Sequence, residues 1–176
     1  MKKVMLFMAG AWLALAPAVW AEPADAVAQA QVQTKENLAL ELAQRWDRLK
    51  YRTPDKDARV AGFKKLAEDA KRLAKSHPDD PAPKVWAGIT LATLAGEDGG
   101  LSALGLVKEA KEWLEQALAQ HPGKELATSI HTTLGSLYYQ VPGWPIGFGD
   151  EDKAEEHLKK ALTMSPEGLD ANFWMA

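Results

Sequence analysis

Side chains able to do acid–base or nucleophilic chemistry are few in this chain, and their spacing is poor for it. The four histidines are His77, His121, His131 and His157. No two of them stand four apart with a Glu between, so the helix of a zinc protease is absent. His77 and His121 each precede a proline, where an imidazole can meet the last carbonyls of a helix. The serines are Ser76, Ser102, Ser129, Ser136 and Ser165, and none sits in a strand-to-helix nucleophile elbow. With no Cys, thiol catalysis and thiolate metal sites are excluded. The acidic run Asp150, Glu151, Asp152, Glu155 and Glu156 reads as a solvated helix start capped by Asp150. No P-loop appears, and Gly147-Phe148-Gly149 has only the first spacing of a dinucleotide motif. The expectation is a protein with no catalytic residue, no metal and no cofactor.

Binding chemistry is better represented. The stretch 141–150, VPGWPIGFGD, combines glycines and prolines with two large apolar rings, Trp144 and Phe148. Tyr138 and Tyr139 come just before it. Aromatic residues on a loop held by a rigid scaffold are strong contact anchors. These four residues are therefore the candidate binding residues. The same rings could instead fold back and plug the end of a helix pair, and the sequence leaves both readings open.

The elements that must position this loop are helical. Residues 1–21 read as a signal peptide: Lys2 and Lys3, an apolar run from Val4 to Val19, and Ala21 before the cut. Without the two lysines of this leader, 19 basic residues face 24 acidic ones, a net charge of −5. That balance disfavours nucleic acid as a partner. The leader and the lack of disulfides point to the periplasm. Residues 22–34 read as a flexible lead. Helices follow over 35–52, 59–76, 83–95, 101–120, 124–140 and 151–164, with apolar residues at helical spacing. A Gly-rich loop is expected at 96–100.

A repeat organises these helices. Pro78, Pro122 and Pro166 stand 44 residues apart, each closing a helix. Ala110, Leu114 and Ala117 recur at the same offset as Ala154, Leu158 and Ala161, and Leu66, Ala70 and Leu73 precede them. A fixed period of this size means stacked helix pairs rather than one globular core.

The set Ala110, Leu114, Ala117, Pro122, its copy at Ala154, Leu158, Ala161, Pro166, and Leu134-Gly135 with Tyr138 resembles the tetratricopeptide (TPR) repeats. In the second unit, Thr90-Leu91 and Leu94 stand where Leu134-Gly135 and Tyr138 stand in the third. The resemblance implies an all-α fold, a right-handed α-α superhelix of helix pairs. Its units would be about 35–78, 79–122 and 123–166, with a fourth beginning at 167–176. Phe173, Trp174 and Met175 would then cover the preceding helix, dock on another chain, or belong to an array that continues further, the last being the favoured reading. The period exceeds the 34-residue unit of the family. By this alignment about seven added residues fall within each pair and about three between pairs.

The resemblance further implies a non-enzymatic scaffold that binds a protein, peptide or small ligand through its groove or its inserted loops. It is similar in architecture to TPR proteins that accompany TRAP-type solute transporters, so an accessory role in uptake is one alternative. A cell-envelope enzyme is the other. The expected partner is a protein or peptide, with a transporter or an envelope complex among the candidates, and with no nucleic acid and no membrane span after cleavage.

Overall fold

The structure is a computed structural model that describes residues 24–100 and 102–175. The expected signal peptide lies outside the described residues. Among the described residues the chain is all helical: α1 (Ala24–Arg52), α2 (Lys56–Ser76), α3 (Pro81–Asp98), α4 (Ser102–Leu118), α5 (Lys124–Gln140), α6 (Glu151–Met164) and α7 (Leu169–Met175).

Several boundaries shift by two or three residues, and two segments read as irregular turn out helical for most of their length. Helix α1 begins at Ala24, inside the segment read as a flexible lead. That segment lacks an apolar stripe, but its Ala and Gln residues are strong helix formers. Helix α3 continues to Asp98, through most of the expected Gly-rich loop. Glu97 is held there by Arg59 and Lys50, and Asp98 by Lys64. Helix α3 ends only at Gly99, whose positive φ of 70° suits glycine and whose N–H donates to Ala95 O.

The helix starts follow their caps. Asp55, Asp80 and Asp150 accept from the backbone N–H of Ala58, Ala82 and Lys153 respectively. At the other end, His77 Nδ1 lies 3.2 Å from Leu73 O, as expected of an imidazole before the turn proline. His121 takes a positive φ of 51° and meets Leu118 O with its backbone N–H.

Packing divides the helices into two layers. The odd-numbered helices touch in series, α1 with α3, α3 with α5, and α5 with α7. The even-numbered helices pack chiefly against odd ones, with the Lys71–Glu109 ion pair joining α2 to α4. Two clusters form the core, one under α1, α2 and α3 around Leu42, Phe63 and Leu66, the other from α3 to α6 around Leu91, Leu114 and Leu134. Helix α3 contributes to both, with Ala87 and Leu94 in the first and Val85 and Leu91 in the second.

The 44-residue offset holds for the even helices: Ala110, Leu114 and Ala117 are buried, as are Ala154, Leu158 and Ala161. It does not hold for the odd ones. Gly135 faces Leu158 and Ala154; the residue that faces Leu114 and Ala110 is Gly88, 47 positions before Gly135. Ala87-Gly88 and Leu91 are thus the counterparts of Leu134-Gly135 and Tyr138, and the earlier alignment is off by three. The added residues are consequently unequal within the pairs. From Gly88 to Ala110 is 22 positions, and from Gly135 to Ala154 is 19.

Candidate functional site

The four sequence candidates separate into two kinds of residue. Tyr138 is buried, and Phe148 is half-buried against the core. Their rings meet edge to face at 5.4 Å. Tyr138 also stacks on His157 at 5.6 Å, with Lys153 and Lys111 near its face. These two rings therefore fold back as a plug, and burial removes Tyr138 from any contact surface. Tyr139 and Trp144 are exposed, Trp144 at 90%. Tyr139 packs on Trp174, which in turn meets Phe173.

The loop that carries Trp144 has a tight path. Gly149 N–H donates to Pro142 O, Asp150 N–H to Tyr138 O, and Gly147 N–H to Gly143 O. A Cβ on Gly149 would lie 1.8 Å from Val141 O, so only glycine fits this crossing. The Trp144–Pro145 peptide is cis.

None of the four lines the main groove, a concavity of about 1380 Å³ over the odd-helix layer that Ala103, Leu104 and Val107 of α4 also reach. Its lining includes Trp46 of α1, Trp86 and Thr93 of α3, and Trp174 of α7. Helix α5 presents Thr128, Ser129, Thr132, Thr133, Ser136 and Gln140 to it. The loop after α5 adds Pro142 and Ile146. Trp46 and Trp86 pack against the first core cluster and also reach the groove, whereas Trp113 packs between the two clusters with its indole N–H on Glu109.

Charge is confined to the groove's ends. No Asp, Glu, Lys or Arg occurs between Lys84 and Glu97 or between Glu125 and Gln140. Lys50, Lys56, Arg59 and Glu97 gather at the end near α1 and α2, and Asp170 stands on α7. Arg59 donates to Glu97 from Nε and Nη2, and to the Thr53 and Pro54 carbonyls from Nη1. The Arg59 guanidinium holds the Glu97 carboxyl below the usual carboxylate range, against the opposing effect of burial.

The groove hydroxyls have a common orientation of their protons. Thr93 donates to Ile89 O, Thr128 to Lys124 O, Ser129 to Glu125 O, Thr133 to Ser129 O and Ser136 to Thr133 O. Each oxygen keeps lone pairs free for another donor. Thr93 shows this use, because Trp46 Nε1–H donates to its Oγ1 at 3.0 Å.

A second pair was not visible in the sequence. His131 on α5 and His157 on α6 meet at 2.9 Å between Nδ1 atoms. Their numbers are 26 apart, so only the packing of α5 on α6 brings them together. Burial lowers the pKa of both, and Lys160 adds to the effect on each. Groups of three or more His, Asp or Glu placed to hold a metal are absent among the described residues. Likewise, no described helix is long and apolar enough to cross a membrane. The acidic run at the start of α6 pairs with lysines of its own helix, Asp150 with Lys153, Glu155 with Lys159 and Glu156 with Lys160.

Comparisons with protein-family models, with curated proteins and with solved structures find no match to this chain. What the structure defines is a class of architecture, an all-α layering of helix pairs with a groove over one layer whose charged residues stand at its ends.

Proposed function

We propose that this chain is a non-enzymatic binding scaffold of the tetratricopeptide type, exported to the periplasm by its leader, and that the groove over α3, α5 and α7 holds part of a partner. The observation that carries the reading is the contrast between layers. Helices α2, α4 and α6 carry Lys, Asp and Glu along their exposed faces, as solvated helices do. The groove faces of α3 and α5 carry indole, methyl and hydroxyl groups and no charge over their middle turns. A concave, mostly apolar surface with a few polar groups is the usual form of a binding site.

A non-catalytic role is favoured by the state of the candidate nucleophiles. Ser129 and Ser136 donate their protons to carbonyls of their own helix. The histidine pair belongs to the α5–α6 seam and not to the groove lining.

The test is steric. Thr132→Arg places a long cation in the groove, while Lys108→Glu changes a charge on the exposed face of α4. Capture from envelope extract should lose its specific partner with Thr132→Arg and keep it with Lys108→Glu, at equal melting temperatures. Retention of the same partner by Thr132→Arg would reject the groove as the binding face.

A further inference from the structure

The histidine pair in the α5–α6 seam does not line the groove, yet it is tied to the loop that borders it. His131 is buried and His157 half-buried, and their Nδ1 atoms lie 2.9 Å apart. Two N–H groups cannot face each other at that distance. The contact therefore holds one proton, donated by one ring and accepted by the other. A further proton on the pair removes the acceptor and breaks this hydrogen bond.

A row of rings leads from the pair to the loop. His131 and Tyr138 stand seven apart on α5, two turns along one face. The His157 ring touches both, His131 at a centroid distance of 5.0 Å and Tyr138 by stacking at 5.6 Å and 19°. Tyr138 in turn meets Phe148 edge to face at 5.4 Å. Phe148 turns inward from loop 141–150, whereas Trp144 and Ile146 are exposed. The end of the loop is fixed to the same tyrosine, because Asp150 N–H donates to Tyr138 O.

The surroundings offer a second proton no counter-charge. Burial holds both imidazoles below the ordinary pKa, and Lys160 adds to the effect on each. The carboxylates that face the pair are already committed, Glu156 of α6 to Lys160 and Glu115 of α4 to Lys111. Asp150 at the end of the loop is paired with Lys153. On α3, Glu97 and Asp98 pair with cations of α1 and α2, and Lys84 binds Gln120. Asp170 of α7 lines the groove. An imidazolium is drawn to a tyrosine face. Here Lys153 and Lys111 already stand 5.6 Å and 6.0 Å from the centre of the Tyr138 ring. When a second proton arrives, His157 is the ring of the two with a path to water.

We propose that the His131–His157 contact is a proton-operated latch on loop 141–150: a second proton turns His157 out of its seat, Tyr138 loses the ring stacked on it, and Phe148 no longer pins the loop. The proton comes from solvent, and no covalent bond changes. Pro142 and Ile146 of this loop line the groove, so the latch regulates the groove wall. That consequence rests on the groove being the binding face, and the latch itself does not.

The experiment is NMR of the folded chain from about pH 7.5 to 5, a range that brackets the ordinary histidine pKa of about 6.5. It follows the ring signals of all four histidines. It also follows amide exchange, corrected for its intrinsic pH dependence, at Gly147, Gly149 and Asp150, whose N–H groups tie the loop. Protection at these amides should fall at least about tenfold as the pair takes its second proton, while Ala110 and Leu114 of α4 change by less than about twofold. The midpoint should be that of the His157 ring and not that of His77 or His121. In His131→Leu, His157→Phe, which keeps a ring against Tyr138, loop protection should hold within about twofold over the same range. Ring signals of the pair that do not move by about pH 5 would overturn the latch. So would a loop that stays protected once the pair is doubly protonated, or one that opens equally in the double variant. Should that variant not fold, the wild-type midpoints decide, and a loop that opens with His77 or His121 overturns the latch. Partner capture is read separately. Equal capture at both ends of the pH range, with the loop open at the lower one, would overturn regulation of the groove alone. Capture retained by Thr132→Arg would overturn the groove reading without touching the latch.

Discussion

Gly88 on α3 and Leu114 on α4 approach so closely that a Cβ on the glycine would lie 2.5 Å from Leu114 Cγ. Gly135 and Leu158 repeat the contact at 2.6 Å, one helix pair later. Each leucine is buried beneath its glycine, and Ala110 O or Ala154 O blocks the remaining space. The glycine is therefore a packing device that lets the two helices of a pair meet backbone to side chain.

Gly88→Ala and Gly135→Ala should each lower stability by about 1–2 kcal/mol. Overpacking costs about 1–3 kcal/mol, and the better helix propensity of Ala offsets up to about 1 of it. Denaturant unfolding measures the change. In a Leu114→Ala background, Gly88→Ala should cost much less, because the two closest clashing atoms are gone and only Ala110 O remains near. Equal cost in both backgrounds would reject the contact as the reason for glycine.

Acid should weaken the seam between α5 and α6. Burial holds His131 and His157 below the ordinary histidine pKa, so the unfolded chain binds more protons as pH falls through about 6.5. The pair's contribution is complete above that value and is lost as pH drops toward the folded values. The groups facing it are Glu156 and Lys160 of α6 and Glu115 of α4, besides the two histidines themselves. Unfolding free energy measured from pH 7.5 to 5, a range set by the ordinary pKa of about 6.5, should fall with pH. The double variant His131→Leu, His157→Phe should flatten the slope.

The aromatic loop should respond unequally to truncation. Phe148→Ala removes a ring packed on Tyr138 and the core, at a cost of about 2–3 kcal/mol. Trp144→Ala removes a ring that is 90% exposed, and its cost should stay within about 0.5 kcal/mol. Thermal and denaturant melts of the two variants decide this. Similar losses would contradict the plug assigned to Phe148.

The last turn of α3 should depend on Glu97. Glu97→Ala leaves Arg59 and Lys50 without their shared carboxylate, and should destabilise by about 1 kcal/mol. Because the folded carboxyl pKa is depressed, this support is present above the unfolded value near 4.3 and disappears as pH falls through the folded one. Hydrogen exchange should quicken at Ala95 to Gly99 in the variant at neutral pH.

The helices were legible because their apolar stripes and prolines recur, and α4 and α6 obey that period residue by residue. The register of the odd helices was not. A search at a fixed offset of 44 matches Gly135 to Leu91, whereas packing matches it to Gly88. Unequal insertions shift one helix of a pair without disturbing the other. A groove was expected of stacked helix pairs, but the residues that line it were not singled out, for a different reason. Trp144 and Phe148 draw the eye as large rings, while serines and threonines on a helix look neutral. The missed signal was an absence, the uncharged stretches 85–96 and 126–139 beside heavily charged neighbours. The meeting of His131 with His157 depends on helix packing and left no trace in local sequence.

The central claim is that the groove over the odd helices, and not the outer layer or the exposed aromatic loop, is the face that binds. A photo-cross-linking residue placed in turn at Thr132, Lys108 and Trp144 tests it most directly in living cells. The account predicts one dominant cross-linked species from position 132 and none from 108 or 144. A species formed from 144 or 108, with none from 132, would contradict it.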